Sequence, residues 1–148
     1  MRVYLPATVT MLRRLLSTAE LPAASAWTAS ETSAEDASEL EEREYAAFTA
    51  AAQASLALLR AHPSAPRRRV VVSADMADST VREATDHGPG EVIVDRPVAL
   101  AVVAAVHADD PSTGALVAAA TNGDSAAAER LANLPMQWWA RQEIAELL

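Results

Sequence analysis

Apolar and polar positions along the chain alternate in ways that predict both strands and helices. Residues 2–5 (Arg-Val-Tyr-Leu) alternate and predict a strand that ends at Pro6. Thr8 or Thr10 is then placed to cap a short helix, since either side chain can accept a hydrogen bond from the first helical turn. Residues 24–29 predict a second strand, so the N-terminal part is mixed in structure.

The longest helical pattern runs from about residue 33 to residue 61, a stretch that contains neither Gly nor Pro. Its apolar stripe consists of Leu40, Tyr45, Phe48, Ala52, Leu56 and Leu59. Phe48, Leu56 and Leu59 are therefore expected in the core. The acidic segment 31–44 lies at the helix N-terminus, where it complements the macrodipole. Its charges form either a solvated helix face or a surface for a partner with a basic patch.

The second half of the chain is predicted to hold further strands. The continuous β-branched run at 70–74 predicts a central strand buried on both faces, and residues 91–95 predict another. Residues 98–106 are apolar over too great a length for one strand. We divide this region into a short helix over 97–103 and a strand over 104–109.

The C-terminal region is predicted to begin with helices. Asp110 and Pro111 have the form of an N-cap followed by proline at the first helical position, and a helix over 112–121 follows. Residues 124–132 predict another helix, and residues 136–141 alternate as a last strand.

Together these elements predict an α+β fold. We expect a single domain over residues 1–148, with a mixed sheet of about five to six strands and helices packed on it. Strand, proline, short helix, strand, helix and strand follow one another in both halves. This order predicts two βαβαβ halves, with chance similarity of pattern as the alternative.

Composition argues against several classes of function. The chain has no cysteine, which excludes disulfides, thiolate nucleophiles and Cys-ligated zinc. A net charge of −8 argues against nucleic-acid binding, because proteins that bind phosphate backbones normally present a basic surface. No window approaches the roughly 18 apolar residues of a membrane span, and no signal peptide is visible. We therefore expect a cytoplasmic protein that binds neither nucleic acid nor membrane.

The best candidates for catalysis are one histidine and three aspartates. His107 and Asp109 share one face of a predicted strand, and His with carboxylate suits either a metal or general acid-base catalysis. Asp75 and Asp95 lie at the ends of predicted strands, so three carboxylates could converge at one edge of the sheet. The alternative is structural, with His107 hydrogen-bonded to its neighbours and Asp109 exposed. Nucleophile-elbow, P-loop and dinucleotide motifs are absent.

Two other segments are candidates for binding. Arg67-Arg68-Arg69 is expected to close a loop on the acidic helix or on solvent, with anion binding as the alternative. Trp138 and Trp139 face opposite ways on a strand, so one indole should be buried and the other exposed. An exposed Trp near an apolar tail predicts a homodimer interface, formed by Trp138, Trp139, Ile144, Leu147 and Leu148.

Several segments resemble a family of short uncharacterised actinobacterial proteins, and they span nearly the whole chain. They are MRVYLPAT at 1–8 with MLRRL at 11–15, RRVVVSAD at 68–75, and VAAVHADD at 103–110 with WWARQEI at 138–144. Relatives in this family carry Trp-Tyr in place of Trp-Trp, and a longer acidic segment before it. The resemblance implies the identity of the domain and an actinobacterial origin, and it implies no catalytic residue.

The sequence thus favours a non-enzymatic binding or protein-interaction module over an enzyme. No cofactor and no metal are expected, and the partner is a second copy of the chain or another protein. The alternative is a small metal-assisted hydrolase that uses His107, Asp109, Asp75 and Asp95.

Overall fold

The computed structural model describes residues 1–22, 24–29, 36–84 and 88–148. The strands are β1 (Arg2–Ala7), β2 (Glu20–Leu21), β3 (Ser25–Trp27), β4 (Val70–Asp75), β5 (Val81–Glu83), β6 (Glu91–Val94), β7 (Val98–Ala99), β8 (Val103–Ala108) and β9 (Gln137–Ala140). The helices are α1 (Val9–Thr18), α2 (Ala37–Ala61), α3 (Gly114–Thr121), α4 (Ser125–Ala132) and α5 (Ile144–Leu147).

Within the described ranges, seven strands form one sheet in the order β5-β6-β3-β1-β4-β8-β9, while β2 and β7 form a separate two-stranded ribbon. The α+β prediction is confirmed, but neighbouring strands are antiparallel throughout and the sheet exceeds the expected five to six strands. The predicted pair of βαβαβ halves is wrong. In the first half β1 lies between β3 and β4, whereas β6 pairs with β3 and with neither β8 nor β9.

The two faces of the sheet are covered differently. On one face Leu5, Val72 and Val106 belong to the main apolar core, together with Leu12 of α1 and Ile144 of α5. The opposite face carries α2, which contacts β1, β3 and β4. A separate apolar cluster joins the C-terminal half of α2 to α3 and α4. The sheet is therefore closed on the α1 side and only partly covered on the α2 side.

Strand β1 continues through Pro6, where the sequence predicted its end. β3 pairs with β1 only at Tyr4, so Pro6 has no strand partner on that side and its missing N–H costs no ladder hydrogen bond. The helix that follows is capped as predicted by Thr8, whose Oγ1 accepts a hydrogen bond from Met11 N at 3.2 Å.

Helix α2 confirms the strongest prediction from the sequence. It is capped by Asp36 and runs without a break from residue 37 to residue 61, while residues 33–35 of the predicted helix lie outside the described residues. Leu56 and Leu59 are buried as expected, but Phe48 is only half-buried. Among the described residues, no helix combines the length and apolar character that a bilayer span requires.

The later predictions hold with shifted boundaries. β4 is buried along five of its six residues, as expected for a central strand. The expected helix over 97–103 is instead strand β7 followed by a single 3₁₀ turn at Leu100–Val102, and β8 then runs as predicted. Asp110 caps a 3₁₀ turn that leads into α3, and its carboxylate accepts a hydrogen bond from Ser112 N at 2.8 Å.

A buried serine joins α2 to the two central strands. The Ser55 hydroxyl donates to the Ala7 carbonyl at 2.8 Å and accepts from Val70 N at 3.0 Å. Ala7 and Val70 are the last paired residues of the β1–β4 ladder. The hydroxyl therefore satisfies one donor and one acceptor of the sheet that would otherwise be buried without partners.

Ser55→Ala should destabilise the fold by about 1–3 kcal/mol, because it leaves Val70 N–H and the Ala7 carbonyl unsatisfied in the core. The control is Ser38→Ala at an exposed position of the same helix, which should change the free energy of unfolding by less than about 0.5 kcal/mol. Urea denaturation measures both. Equal stability of the two variants would show that the hydroxyl does not bridge helix and sheet.

Candidate functional site

The three consecutive arginines between α2 and β4 all bind groups of the protein itself. Arg67 donates to the carbonyls of Leu59 and His62 at 2.9 and 2.6 Å, close to the C-terminal end of α2. Arg68 donates to the carbonyls of Asp109 and Leu147. The segment therefore closes on the long helix as expected, although at the C-terminal end of α2 and not at its acidic N-terminal end. The hydrogen bonds that Arg67 and Arg68 donate to carbonyls of the fold argue against the anion-binding alternative.

Arg69 and Asp109 form a buried ion pair. Arg69 Nε lies 2.9 Å from Asp109 Oδ2 and Nη2 lies 2.8 Å from Oδ1, while the backbone N–H of Arg69 also donates to Oδ2 at 3.0 Å. The side chains are 7% and 1% exposed. Asp109 is therefore buried, whereas the structural alternative predicted that it is exposed. Both of its carboxylate oxygens accept hydrogen bonds from Arg69.

Asp75 and Asp95 form exposed ion pairs elsewhere. Asp75 accepts two hydrogen bonds from Arg2 across the β1–β4 ladder, and these bonds lower the pKa of its carboxyl group. Asp95 accepts one from Arg82 at 2.9 Å. Asp75 ends β4 and the Asp109 carboxylate is bound where β4 begins, so the two lie about 20 Å apart at the usual rise per strand residue. The three carboxylates do not converge at one edge of the sheet.

His107 lies on the α2 side of the sheet, half-buried between Val71 and Trp138 of the neighbouring strands. Its ring meets Phe48 edge to face with centroids 4.8 Å apart. Its Nδ1 atom is buried and has no hydrogen-bond partner among the described residues. The structural alternative had instead predicted that His107 is hydrogen-bonded to its neighbours. Desolvation by burial lowers the pKa of His107, so the ring is neutral near pH 7.

The constellation proposed for a hydrolase is therefore not assembled. Asp109 is bound by Arg69, and Asp75 and Asp95 are paired with other arginines. Among the described residues, no group of three or more His, Cys, Asp or Glu side chains is placed to hold a metal ion. Besides Val71 and Trp138 on the neighbouring strands, the side chains that line the recess at His107 are aromatic and acidic ones from β1 and α2.

An aromatic surface forms where α2 leaves the sheet uncovered. Tyr4 and Phe48 meet edge to face at 6.2 Å, and an open recess of about 270 Å³ lies over them. The recess is lined by Tyr4, Glu41, Glu44, Tyr45, Phe48 and His107. Tyr45 and Phe48 belong to the apolar stripe that predicts the buried face of α2, yet Tyr45 is 69% exposed.

A second recess of about 270 Å³ continues on the other side of Tyr45 and Phe48, between α2 and residues 132–136. Leu134, Pro135 and Met136 line it. The two recesses share Tyr45 and Phe48, and Trp138 lies beside His107 on the neighbouring strand. We call this surface the aromatic groove and define it by Tyr4, Tyr45, Phe48, His107, Met136 and Trp138.

The aromatic groove has an acidic rim. Glu41 and Glu44 line the first recess, and no described cationic side chain forms an ion pair with either of them. Burial, with the nearby charge of Glu44, raises the pKa of Tyr4, so its hydroxyl stays protonated at neutral pH. The groove therefore presents ring faces, a phenol and two carboxylates to a ligand.

The predicted interface residues are divided between the two faces of the sheet. Trp138 is 61% exposed in the aromatic groove, while Trp139 packs against the main core, as the alternation predicted for a pair of tryptophans. Ile144 and Leu147 are buried in that same core. Neither can supply exposed apolar area to a partner, and only Trp138 and Leu148 remain exposed.

Comparison with known proteins places the chain in a family. Residues 1–148 match the model of the family DUF6912, described as a family of unknown function. The chain belongs to this family. No curated protein and no solved structure matches it. The family resemblance seen in the sequence is thus confirmed at the level of a whole-chain domain of unknown function.

Sequence reasoning missed most of the aromatic groove of this DUF6912 protein. The groove combines residues from β1, α2, β8 and β9, which are brought together by pairings far apart in the chain. The one available signal was the excess of apolar positions on α2, where Tyr45 extends the stripe beyond what the sheet covers.

Asp109→Asn should destabilise the DUF6912 fold by about 3–5 kcal/mol, because it leaves the buried Arg69 guanidinium without its counter-charge. Asp95→Asn breaks an exposed Arg–Asp pair and should cost no more than about 1 kcal/mol. Chemical denaturation of both variants measures the difference. A folded Asp109→Asn variant with unchanged stability would contradict a structural role for this carboxylate.

The lowered pKa of His107 should make stability depend on pH. Between that lowered value and the ordinary value near 6.5, the unfolded chain binds more protons than the folded protein, so stability falls as pH decreases through this window. Unfolding free energies at about pH 7 and about pH 5 should differ less in His107→Gln than in wild type. A pH dependence in His107→Gln that is identical to that of wild type would assign the effect to other groups.

Proposed function

We propose that this protein is a non-enzymatic interaction module whose aromatic groove binds a segment of a partner protein that carries both apolar and basic side chains. The observation behind this proposal is the pair of recesses that share Tyr45 and Phe48. One is rimmed by carboxylates, and the other is lined by Leu134, Pro135 and Met136 together with polar side chains that include Arg69, which is itself paired with Asp109. Such a surface suits a ligand that alternates between cationic and apolar groups.

The apolar part of the surface provides the main source of affinity. Tyr45 and Trp138 are 69% and 61% exposed, a costly arrangement for large rings that no other element of the described chain covers. Exposed aromatic side chains of this kind form the centres of binding energy at protein interfaces. The recess lined by Leu134 and Met136 accepts an apolar side chain beside them.

The acidic rim selects the charge of the partner. Arg43, the one cation in this part of α2, is paired with Glu39, and Glu41 and Glu44 face the recess instead. An arginine or lysine of the partner would meet these carboxylates and the faces of Tyr45 and Trp138, which attract cations. The net charge of −8 favours encounter with a basic partner for the same reason.

A second copy of the chain fits this groove less well than a basic partner does. A symmetric dimer over the groove would bring the acidic rims of two copies close together, which costs free energy. The edge strand β9 is also partly blocked, since the backbone N–H of Ala140 donates to Glu143 Oε1 at 3.0 Å. The homodimer expected from the sequence thus depends on Trp138 as its exposed anchor.

Three expectations from the sequence remain predictions alongside this proposal. They are self-association through the Trp138 region, a cytoplasmic location and an actinobacterial origin. The hydrolase alternative has less support than the interaction module, since each of its three aspartates is paired with an arginine.

The test titrates the isotope-labelled protein with three short capped peptides and follows amide and indole resonances. The peptides are Gly-Arg-Leu-Arg-Gly, its acidic counterpart Gly-Glu-Leu-Glu-Gly, and Gly-Arg-Ser-Arg-Gly. Gly-Arg-Leu-Arg-Gly should bind most tightly and shift the Trp138 indole and residues 41–48. Its affinity should fall about tenfold or more in Trp138→Ala, the loss typical of an aromatic residue central to an interface.

Glu44→Gln should weaken the same peptide by up to about fivefold and reduce the salt dependence of binding. Glu20→Gln, which removes an exposed carboxylate on β2, is the control and should leave affinity unchanged. Equal affinity for the acidic peptide, or shifts confined to residues outside the groove, would overturn the proposal. Concentration-dependent shifts of Trp138 without peptide would favour a second copy as the occupant instead.

A further inference from the structure

The first recess of the aromatic groove has walls that face in more than one direction. The ring planes of Tyr4 and Phe48 meet at 89°, and those of Phe48 and His107 meet at 69°. All three rings line the recess, together with the exposed ring of Tyr45. We propose that this recess binds the methylated ammonium group of a lysine side chain on the partner protein. The inference rests on the proposed function, and it names the cation that the groove selects.

The inclination of the rings suits a tetrahedral cation. Rings that meet edge to face at such steep angles enclose a corner, whereas rings in one plane would form a flat wall. A guanidinium group is planar and stacks on one ring face at a time. A trimethylammonium group is tetrahedral, and its charged methyl surface can contact several ring faces together. The corner formed by Tyr4, Phe48 and His107 therefore suits a methylated ammonium better than it suits arginine.

Helix α2 places two carboxylates directly beside these rings. Glu41, Glu44, Tyr45 and Phe48 are spaced by three or four positions, so they lie on one face of the helix over two turns. Glu41 and Glu44 are exposed and line the recess, and neither forms an ion pair with a described cationic side chain. Their negative charge attracts a cation to the ring faces without requiring that it donate a hydrogen bond.

The recess carries no positive charge that would oppose a cation. None of the described residues that line it is an arginine, and Arg2, on the same strand as Tyr4, is paired with Asp75. Burial lowers the pKa of His107, so this ring is neutral near pH 7. The local charge is therefore negative.

An unmodified lysine fits the recess less well than its methylated form. A free ammonium group is compact and strongly hydrated, and ring faces cannot replace the hydrogen bonds that it makes with water. Glu41 and Glu44 are exposed, so water competes for the hydrogen bonds that they can accept. Methylation removes the N–H donors and keeps the positive charge, which lowers the cost of entering an aromatic corner.

The ligand must come from a different molecule. The chain contains no lysine, so a second copy cannot supply a methylated lysine side chain. The second recess continues past Tyr45 and Phe48, where it can receive neighbouring residues of the same segment. A methylated lysine within a peptide therefore gains contacts that a free quaternary ammonium ion lacks.

Titration of the isotope-labelled full chain with matched peptides tests the inference. Both arginines of Gly-Arg-Leu-Arg-Gly are replaced by trimethyl-lysine, by lysine, or by a neutral residue that ends in a tert-butyl group of the same shape. The trimethyl-lysine peptide should bind about fivefold or more tightly than the lysine and neutral peptides, because only it combines a methyl surface with positive charge. Tetramethylammonium ion should shift the same Tyr45 and Phe48 resonances, but only at higher concentration than the peptide.

Equal affinity of the trimethyl-lysine peptide and either the lysine or the neutral peptide would overturn the inference. If Gly-Arg-Leu-Arg-Gly binds the groove and trimethyl-lysine adds no affinity, the inference fails while the proposed function stands. If no peptide shifts resonances of the groove, both fail. Binding of tetramethylammonium as tight as that of the peptide would contradict a ligand carried on a partner protein.

Tyr45→Leu removes one ring face at an exposed position and should reduce the preference for trimethyl-lysine over lysine to about twofold or less. Tyr45→Phe keeps the ring and should retain the preference. The matched control is Leu134→Ala in the second recess, which should weaken both peptides alike and leave their ratio unchanged. A preference that survives Tyr45→Leu, or that Leu134→Ala reduces equally, would show that the cation does not occupy the first recess. The amide resonances verify that each variant is folded.

Discussion

The arginine segment 67–69 ties the two sides of the fold together. Arg67 satisfies carbonyls close to the end of α2, Arg68 binds backbone carbonyls after β8 and in α5, and Arg69 is paired with the buried Asp109. Moving a charged pair out of water is costly, and it becomes tolerable only when every donor and acceptor is satisfied. Here one short loop fixes α2, β8 and the C-terminal helix to the start of the central strand β4. The chain has no cysteine, and its core is rich in small residues. This hydrogen-bond network therefore does much to fix the arrangement of the helices and strands.

That constraint decides which part of the sheet stays open. With its C-terminal end fixed at the Arg67 side and Ser55 bonded to the last pair of the β1–β4 ladder, α2 crosses the sheet in one position only. Its N-terminal half then carries Glu41, Glu44 and Tyr45 to the rim of a surface formed by Tyr4, Phe48 and His107.

Local patterns predicted the elements well because those elements depend on their own residues. The β-branched run at 70–74 suits a strand covered on both faces, and the Gly- and Pro-free stretch before residue 61 suits a long helix. Contacts between residues far apart in the chain could not be predicted from these local patterns. Pro6 lies within β1 because β3 is short, and Asp109 is buried because Arg69, forty positions earlier in the chain, provides its counter-charge. For the same reason the convergence of Asp75, Asp95 and Asp109 was wrong, while the opposite orientation of the two tryptophans followed from strand alternation alone.

The central claim is that the open, acid-rimmed aromatic groove is where a basic segment of a partner binds. Intermolecular nuclear Overhauser effects to a bound Gly-Arg-Leu-Arg-Gly peptide test it most directly, because they locate the peptide on the surface independently of affinity. The rings of Tyr45 and Trp138 should show cross-peaks to the arginine and leucine side chains of the peptide, together with Met136. Cross-peaks confined to α1 or to β5 would contradict the claim, since those elements lie outside the groove.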